Sequence, residues 1–229
     1  MVVFFNGILE HVHDAGLPWW ATIAATTLGV RGALLPATLV ARRASARFVA
    51  AAPHLRRVNA LLVDALRKDD KSSRVAALYA RAVHATLKVH GANPVAAFVL
   101  MPAVHIPVFV TFAFAIRELC ESAPNFHLEG TLWFPDLAAP DPTLALLAIG
   151  GTYFNLGGLP KPSDRPGWPL VARHAAQLGL LAALPITVQL PSGFLVYWLT
   201  STGFTACSIA AFRAIDRNNV DVKNGSSSS

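Results

Sequence analysis

Residues 22–41 form an apolar run with a single full charge, Arg31, near its middle. The run is about as long as a helix that crosses a bilayer. A charge at that depth costs about 2.5–3.5 kcal/mol on insertion scales, so it is expected to face a water-filled cavity or a partner. What Arg31 meets is the question the other residues have to answer. The chain as a whole is 54% hydrophobic and 14% charged, against about 25% charged residues in soluble domains. With a mean hydropathy of +0.46, an integral membrane protein is expected. The net charge of +6 would suit nucleic acid or anionic lipid, but its distribution along the chain points to membrane topology.

Residues 2–13 place Phe4, Phe5, Ile8, Leu9 and Val12 on one helical face. With Trp19 and Trp20 following, segment 1–17 is expected to be an interfacial amphipathic helix; a helix packed on the protein itself is the alternative. The first span is expected at 18–40. A basic block, 42–91, follows, with eleven Lys and Arg against three Asp, a net charge of +8. Leu55, Val58, Leu62 and Leu66, then Val75, Leu78, Ala82 and Val89, recur at helical spacing on either side of a polar turn at 68–73. A helical hairpin protruding from the membrane is expected here.

Asn93 and Pro94 signal a helix start for a second span, 94–116, with Pro102 and Pro107 inside it. The loop 118–141 carries five acids and no base. Further spans are expected at 142–158, 170–189 and 191–213, completing an all-α bundle of five transmembrane helices. Residues 214–229 are expected to be a short tail, its last residues, 225–229, having the composition of a linker. The basic segments, 42–91, 159–173 and the C-terminal end, are assigned to the inside; the N-terminus, the 118–141 loop and the 189–193 turn are assigned to the outside.

Arg31 has Thr27 and Thr38 on its face of the helix. In the fifth span Trp198, Ser201, Thr205 and Ser208 share one face, and the second span offers His105 and Thr111. Together they suggest a polar surface around one cation, with no intramembrane acid to neutralise it. Six of the eight histidines, at 54, 84, 90, 105, 127 and 174, lack metal-binding spacing. Neither Gly-rich phosphate loops nor nucleophile elbows occur, so no metal, cofactor or catalytic residue is expected, nor an enzyme. Cys120 and Cys207 have no CxxC neighbour and read as packing residues.

These residues, from about Leu17 to Arg213, resemble the YidC-type membrane-protein insertase family of bacteria, mitochondria and chloroplasts. Val30, Arg31, Gly32 and Pro36 are similar to its first core span, whose arginine sits in a hydrophilic groove. Ala52 to Leu55 resemble the start of its basic hairpin, and Ile106 to Phe109 the middle of its second span. Leu132 to Leu137, with Asp141 and Pro142, resemble the loop before the third, and Leu190 to Trp198 the beginning of the fifth. Residues 112–119 and the Trp133, Phe134, Pro135 string are most similar to the mitochondrial branch that assists cytochrome c oxidase assembly. His105 departs from the family, where many relatives have Gln.

The resemblance implies an insertase that moves hydrophilic tails of substrate proteins across the mitochondrial inner membrane through a polar groove. Its groove residues would be Arg31, Thr27, Thr38, His105, Trp198, Ser201 and Thr205. Inner-side hairpin contacts would come from Arg56, Arg57, Lys68, Lys71 and Arg74. The implied partners are nascent or newly imported membrane proteins with acidic translocated tails, the lipid bilayer and oxidase assembly factors, with no direct nucleic acid; a monomer is expected. The N-terminus would lie on the intermembrane-space side and the hairpin in the matrix; a bacterial plasma membrane or thylakoid membrane is the alternative. The competing functions are an anion-selective channel or small-solute transporter using Arg31, and a non-catalytic assembly chaperone.

Overall fold

The computed structural model describes residues 2–68, 72–123, 125–157 and 168–226. The regular structure among these residues is helical, with two isolated bridges, Thr131 with Phe134 and Pro140 with Pro191, and no strand. In order come α1 (Val2–Asp14), α2 (Trp19–Ala33), α3 (Leu35–Lys68), α4 (Ser72–Val89), α5 (Pro94–Ser122), α6 (Pro142–Gly157), α7 (Trp168–Ala182), α8 (Leu184–Thr187) and α9 (Ser192–Ser226). Pro102–Ser122 of α5 and Ser192–Ile215 of α9 are long and apolar enough to cross a membrane, and α2 with α3 would add a third as one broken span.

Helix boundaries follow local chemistry. The Asn93 side chain accepts from the amides of Val95 (3.0 Å) and Ala96 (3.2 Å) and so caps α5. Asp141 does the same for α6, accepting from Leu144 N–H at 2.7 Å. Each capped helix opens with Pro, whose missing N–H costs nothing in the first turn. Two expected spans are interrupted. The run 18–40 breaks at Leu34, with Pro36 in the first turn of α3, and the run 170–189 breaks at Ala183, with Pro185 in the first turn of α8. A proline ring clashes with the carbonyl four residues back, so a helix restarts there more easily than it continues. Pro102 and Pro107 nevertheless lie inside an unbroken α5. The expected tail is helical to Ser226, because charge ends an apolar run without ending a helix.

The chain divides into two compact units. The first comprises residues 1–32 and 111–229. Its core holds Leu9, Ile23, Ile116, Leu119, Leu137, Leu144 and Leu195, all fully or almost fully buried. Phe5 of α1 meets Phe112 edge-on at 5.2 Å, and Phe112 stacks on Tyr197 of α9 at 4.3 Å. Offset and edge-on pairs of this kind contribute beyond their buried area. The apolar face of α1 thus lies against protein at Phe5 and Leu9. Helices α6 and α9 pack closely. Asn155 donates to the Thr202 carbonyl (3.0 Å) and the Trp198 indole to the Thr152 hydroxyl (3.0 Å).

The acids between α5 and α6 have structural partners. The Glu129 carboxylate accepts from Trp19 N–H at 3.1 Å, at the start of α2, and lies 3.6 Å from the His13 ring, which stacks on Trp19. Asp136 lies 3.2 Å from His127 and accepts from the Ala138 (2.8 Å) and Ala139 (3.2 Å) amides. Slight burial works against its ionisation, but the Ala138 amide, His127 and the Ala139 amide outweigh it and hold the carboxyl below its ordinary range. The loop end is tied to the start of α9: Gly193 N–H donates to Leu137 (2.8 Å), and Ser192 N–H to Ala139 (2.9 Å).

In the second unit, residues 33–110, α3 packs on α4, and Ala41, Ala51 and Ala92 are buried. The His54 and His90 rings lie 4.9 Å apart. Gly91, after α4, takes φ +55°, a left-handed conformation that favours glycine. The expected turn at 68–73 falls partly outside the described residues, as do Lys161, Asp164 and Arg165 of the 159–173 loop.

Candidate functional site

Arg31 sits in the last turn of α2 and is half-buried. Its guanidinium donates through Nη2 to the Ser201 hydroxyl of α9. It also interacts with the Tyr197 phenol, one turn earlier on the same face of α9. The Tyr197 ring is itself fixed by stacking on Phe112, so a rigid aromatic holds one side of the cation. The Arg31 Nε is buried and has no hydrogen-bond partner. Among the described residues, no carboxylate lies within ion-pair distance of Arg31. Its side-chain partners are hydroxyls, which carry no formal charge to set against it.

The other expected groove residues are distributed differently. Thr27 is buried and donates back to the Ile23 carbonyl of its own helix at 2.6 Å. Thr205 likewise donates to the Ser201 carbonyl at 2.9 Å. Trp198 was expected on the Arg31 face, but its indole N–H is directed to Thr152 of α6. One residue is about 100° of helical rotation, so Tyr197 and Trp198 look toward different neighbours. Tyr197 was the residue sequence reasoning missed, although its i, i+4 relation to Ser201 placed it on the same stripe.

Thr38 and His105 belong to the second unit; Thr38 donates to the Leu35 carbonyl at 2.7 Å, and His105 is half-buried. Arg56 and Arg57 are exposed on α3. Lys68 ends α3 and Arg74 lies in the first turn of α4, whereas Lys71 is outside the described residues. Among the described residues, no cluster of His, Cys, Asp and Glu could hold a metal ion.

Helices long and apolar enough to cross a membrane, with a cation that has no carboxylate partner among the described residues, fit an integral membrane protein. Over residues 11–218 the chain matches the 60Kd inner membrane protein family, and it belongs to that family of YidC-type insertases. Its relatives include the mitochondrial inner membrane protein OXA1L of Mus musculus, 29% identical over 218 residues, which are 93% of this chain and 49% of the relative. They also include the cytochrome c oxidase assembly protein COX18 of Homo sapiens, 27% identical over 219 residues, 85% of this chain and 65% of the relative. The similarity to the mitochondrial oxidase-assembly branch is thus found among curated relatives. The chain spans about half the length of the OXA1L protein it matches. In structure it is similar to an active YidC insertase crystal structure with the first transmembrane domain resolved. That comparison has a TM-score of 0.57 at 18% identity, covers 92% of this chain and 45% of the other, and bears on the fold.

Proposed function

We propose that this chain is a membrane-protein insertase acting without nucleotide chemistry in the mitochondrial inner membrane, in the assembly of cytochrome c oxidase. Five crossings, 18–40, 94–116, 142–158, 170–189 and 191–213, enclose a polar groove. The basic hairpin 42–91 lies in the matrix, and the N-terminus and the α5–α6 loop lie on the intermembrane-space side. The chain acts as a monomer. Its partners are newly made or imported membrane proteins with acidic translocated tails, with oxidase assembly factors alongside.

The observation that carries this reading is Arg31, a cation held by Ser201 and Tyr197 with no described carboxylate partner. A substrate's acidic tail is drawn toward it. Opposite charges 4 Å apart attract by about 1 kcal/mol in water and about 4 kcal/mol at an effective dielectric of 20, so partial exclusion of water strengthens the pull. Lodging the tail in a polar niche shortens its apolar crossing. The substrate's own apolar segment then moves into lipid, and that burial drives the step. Arg56, Arg57, Lys68, Lys71 and Arg74 receive substrate at the inner surface, where they also meet anionic headgroups.

Site-specific photo-crosslinking from position 31 to a nascent oxidase subunit, in isolated mitochondria, tests this reading. A crosslink that forms while the tail crosses and disappears after release is expected. Absence of any crosslink during productive insertion would refute the groove. A channel would instead pass anions through liposomes containing the purified protein, and a purely gripping chaperone would bind stoichiometrically without turnover.

A further inference from the structure

The α5–α6 loop presents an apolar tip that the insertase reading does not use. Leu128 is 79% exposed, Leu132 84% and Trp133 49%. The tip is built rather than loose. The Thr131 and Phe134 amides donate to each other's carbonyls at 3.1 and 3.0 Å, and Gly130 N–H donates to the Pro135 carbonyl at 2.9 Å. Phe134 is buried beneath it. At Gly130 any Cβ would collide with the Phe134 carbonyl oxygen.

Leu132 has φ +54°. A non-glycine residue avoids this region because its Cβ crowds the backbone there. An ordinary surface turn would carry Gly or Asn at such a position. Here a leucine accepts the strained backbone and points its side chain away from the protein.

Two features identify the occupant of this tip. First, the neighbouring carboxylates are already partnered: Glu129 serves the start of α2, and Asp136, itself part-exposed, is held by His127 and two amides. The carboxylates nearest the apolar side chains are therefore paired within the protein and do not await a partner's charge. Second, the loop leaves the end of the α5 span at Ser122 and is hydrogen-bonded to the start of the α9 span at Ser192 and Gly193. Both are places where a spanning helix reaches the membrane surface. Trp at that level is the side chain most at home, with its indole in the headgroup layer and its ring on the acyl chains.

We infer that the Leu128, Leu132 and Trp133 tip seats in the interfacial layer of the bilayer and holds the outer ends of α5 and α9 at a fixed depth. This rests on the membrane-embedded reading of the chain and is independent of its insertase step.

The test uses the full chain in vesicles of phosphatidylcholine and cardiolipin, without substrate. A bimane probe is attached at Leu132→Cys in a chain whose Cys120 and Cys207 are replaced by Ala. The tip should lie about 5–10 Å into the headgroup and acyl boundary, so lipid brominated near the carbonyl should quench about twofold more than lipid brominated near the methyl end. Aqueous iodide should quench little. A probe quenched by iodide and indifferent to brominated lipid would overturn the inference. So would a probe shielded from iodide yet indifferent to brominated lipid, which would place the tip against protein.

A second measurement needs no cysteine. The brominated-lipid quenching of intrinsic fluorescence that Trp133→Phe removes should fall in Leu132→Asn. Asn tolerates the left-handed backbone, so this substitution deletes the apolar side chain while sparing the turn. Unchanged lipid quenching in Leu132→Asn would also overturn the inference. Lipid contact as expected in an unmutated chain that inserts no substrate in a separate assay would count against the insertase reading alone.

Discussion

Replacing Arg31 by Ala removes the positive charge and leaves its two hydroxyl partners in place. Ser201 can turn its hydroxyl to the carbonyl one turn back on α9, as Thr205 and Ser208 do, so little stability should be lost. The functional loss is set by electrostatics. If a substrate carboxylate approaches within about 4 Å, the lost attraction is about 1 kcal/mol in a fully wet groove and about 4 kcal/mol at an effective dielectric of 20. At about 1.4 kcal/mol per decade, that is roughly fivefold to several hundredfold in occupancy of the captured state. Arg31→Lys should recover much of the loss, since charge is retained while the planar fork is not. The assay is insertion into proteoliposomes of two substrates with the same apolar segment, one with an acidic tail and one with a neutral tail. The acidic substrate should lose the stated factor in Arg31→Ala, and the neutral one little. Equal loss for both would remove the electrostatic account, and equal activity of both with wild type would remove Arg31 from the pathway.

Removing residues 55–88 should leave a folded membrane protein that captures substrate poorly, because α3 and α4 pack on each other within their own compact unit; unchanged substrate crosslinking would deny the hairpin its receiving role. Gly193→Ala should lower the thermal midpoint in detergent, because the new Cβ would stand 2.9 Å from Cζ of the fully buried Phe126; overpacking of this kind costs about 1–3 kcal/mol. Asp136 is held below the ordinary carboxylate range, so its contribution to the α5–α6 loop is complete above about pH 4 and is lost as pH falls through the depressed value. The protection of the Ala138 and Ala139 amides, taken relative to intrinsic exchange at each pH, should therefore fall on strong acidification, and Asp136→Asn should remove that pH dependence of protection. Thr152→Val should cost about 1 kcal/mol by leaving the Trp198 indole without this acceptor, visible as a lower midpoint than that of Thr152→Ser.

The helical class and several helix starts were legible in the sequence because they depend on local patterns. Asn93 with Pro94 and Asp141 with Pro142 carry the chemistry of a capped helix within three residues. The breaks at Leu34 and Ala183 were not legible from apolar run length. A run of the right length records what a membrane tolerates, whereas Pro36 and Pro185 decide whether one helix or two fill it. Pro102 and Pro107 lie inside a continuous helix, so proline alone does not settle the matter either. At the site, the shared stripe brought Ser201 to Arg31, but helical phase had to be known more finely than one residue to choose Tyr197 over Trp198. The acids of 118–141 read as a topology signal because their partners, Trp19 N–H and the amides of Ala138, Ala139 and Leu144, are fixed only once the chain is folded.

The break at Leu34 places the end of α2 within three residues of Arg31. The last carbonyls of a helix have no amide above them and together carry about half a negative charge. A cation carried by a final turn gains at most about 0.3–1 kcal/mol from them, and less here because the N-terminal end of α3 follows at Leu35. Arg31 therefore has a counter-charge after all, supplied by the backbone and fractional in size. It is enough to ease the cation's stay among apolar helices, and too small to compete with a carboxylate that comes within reach.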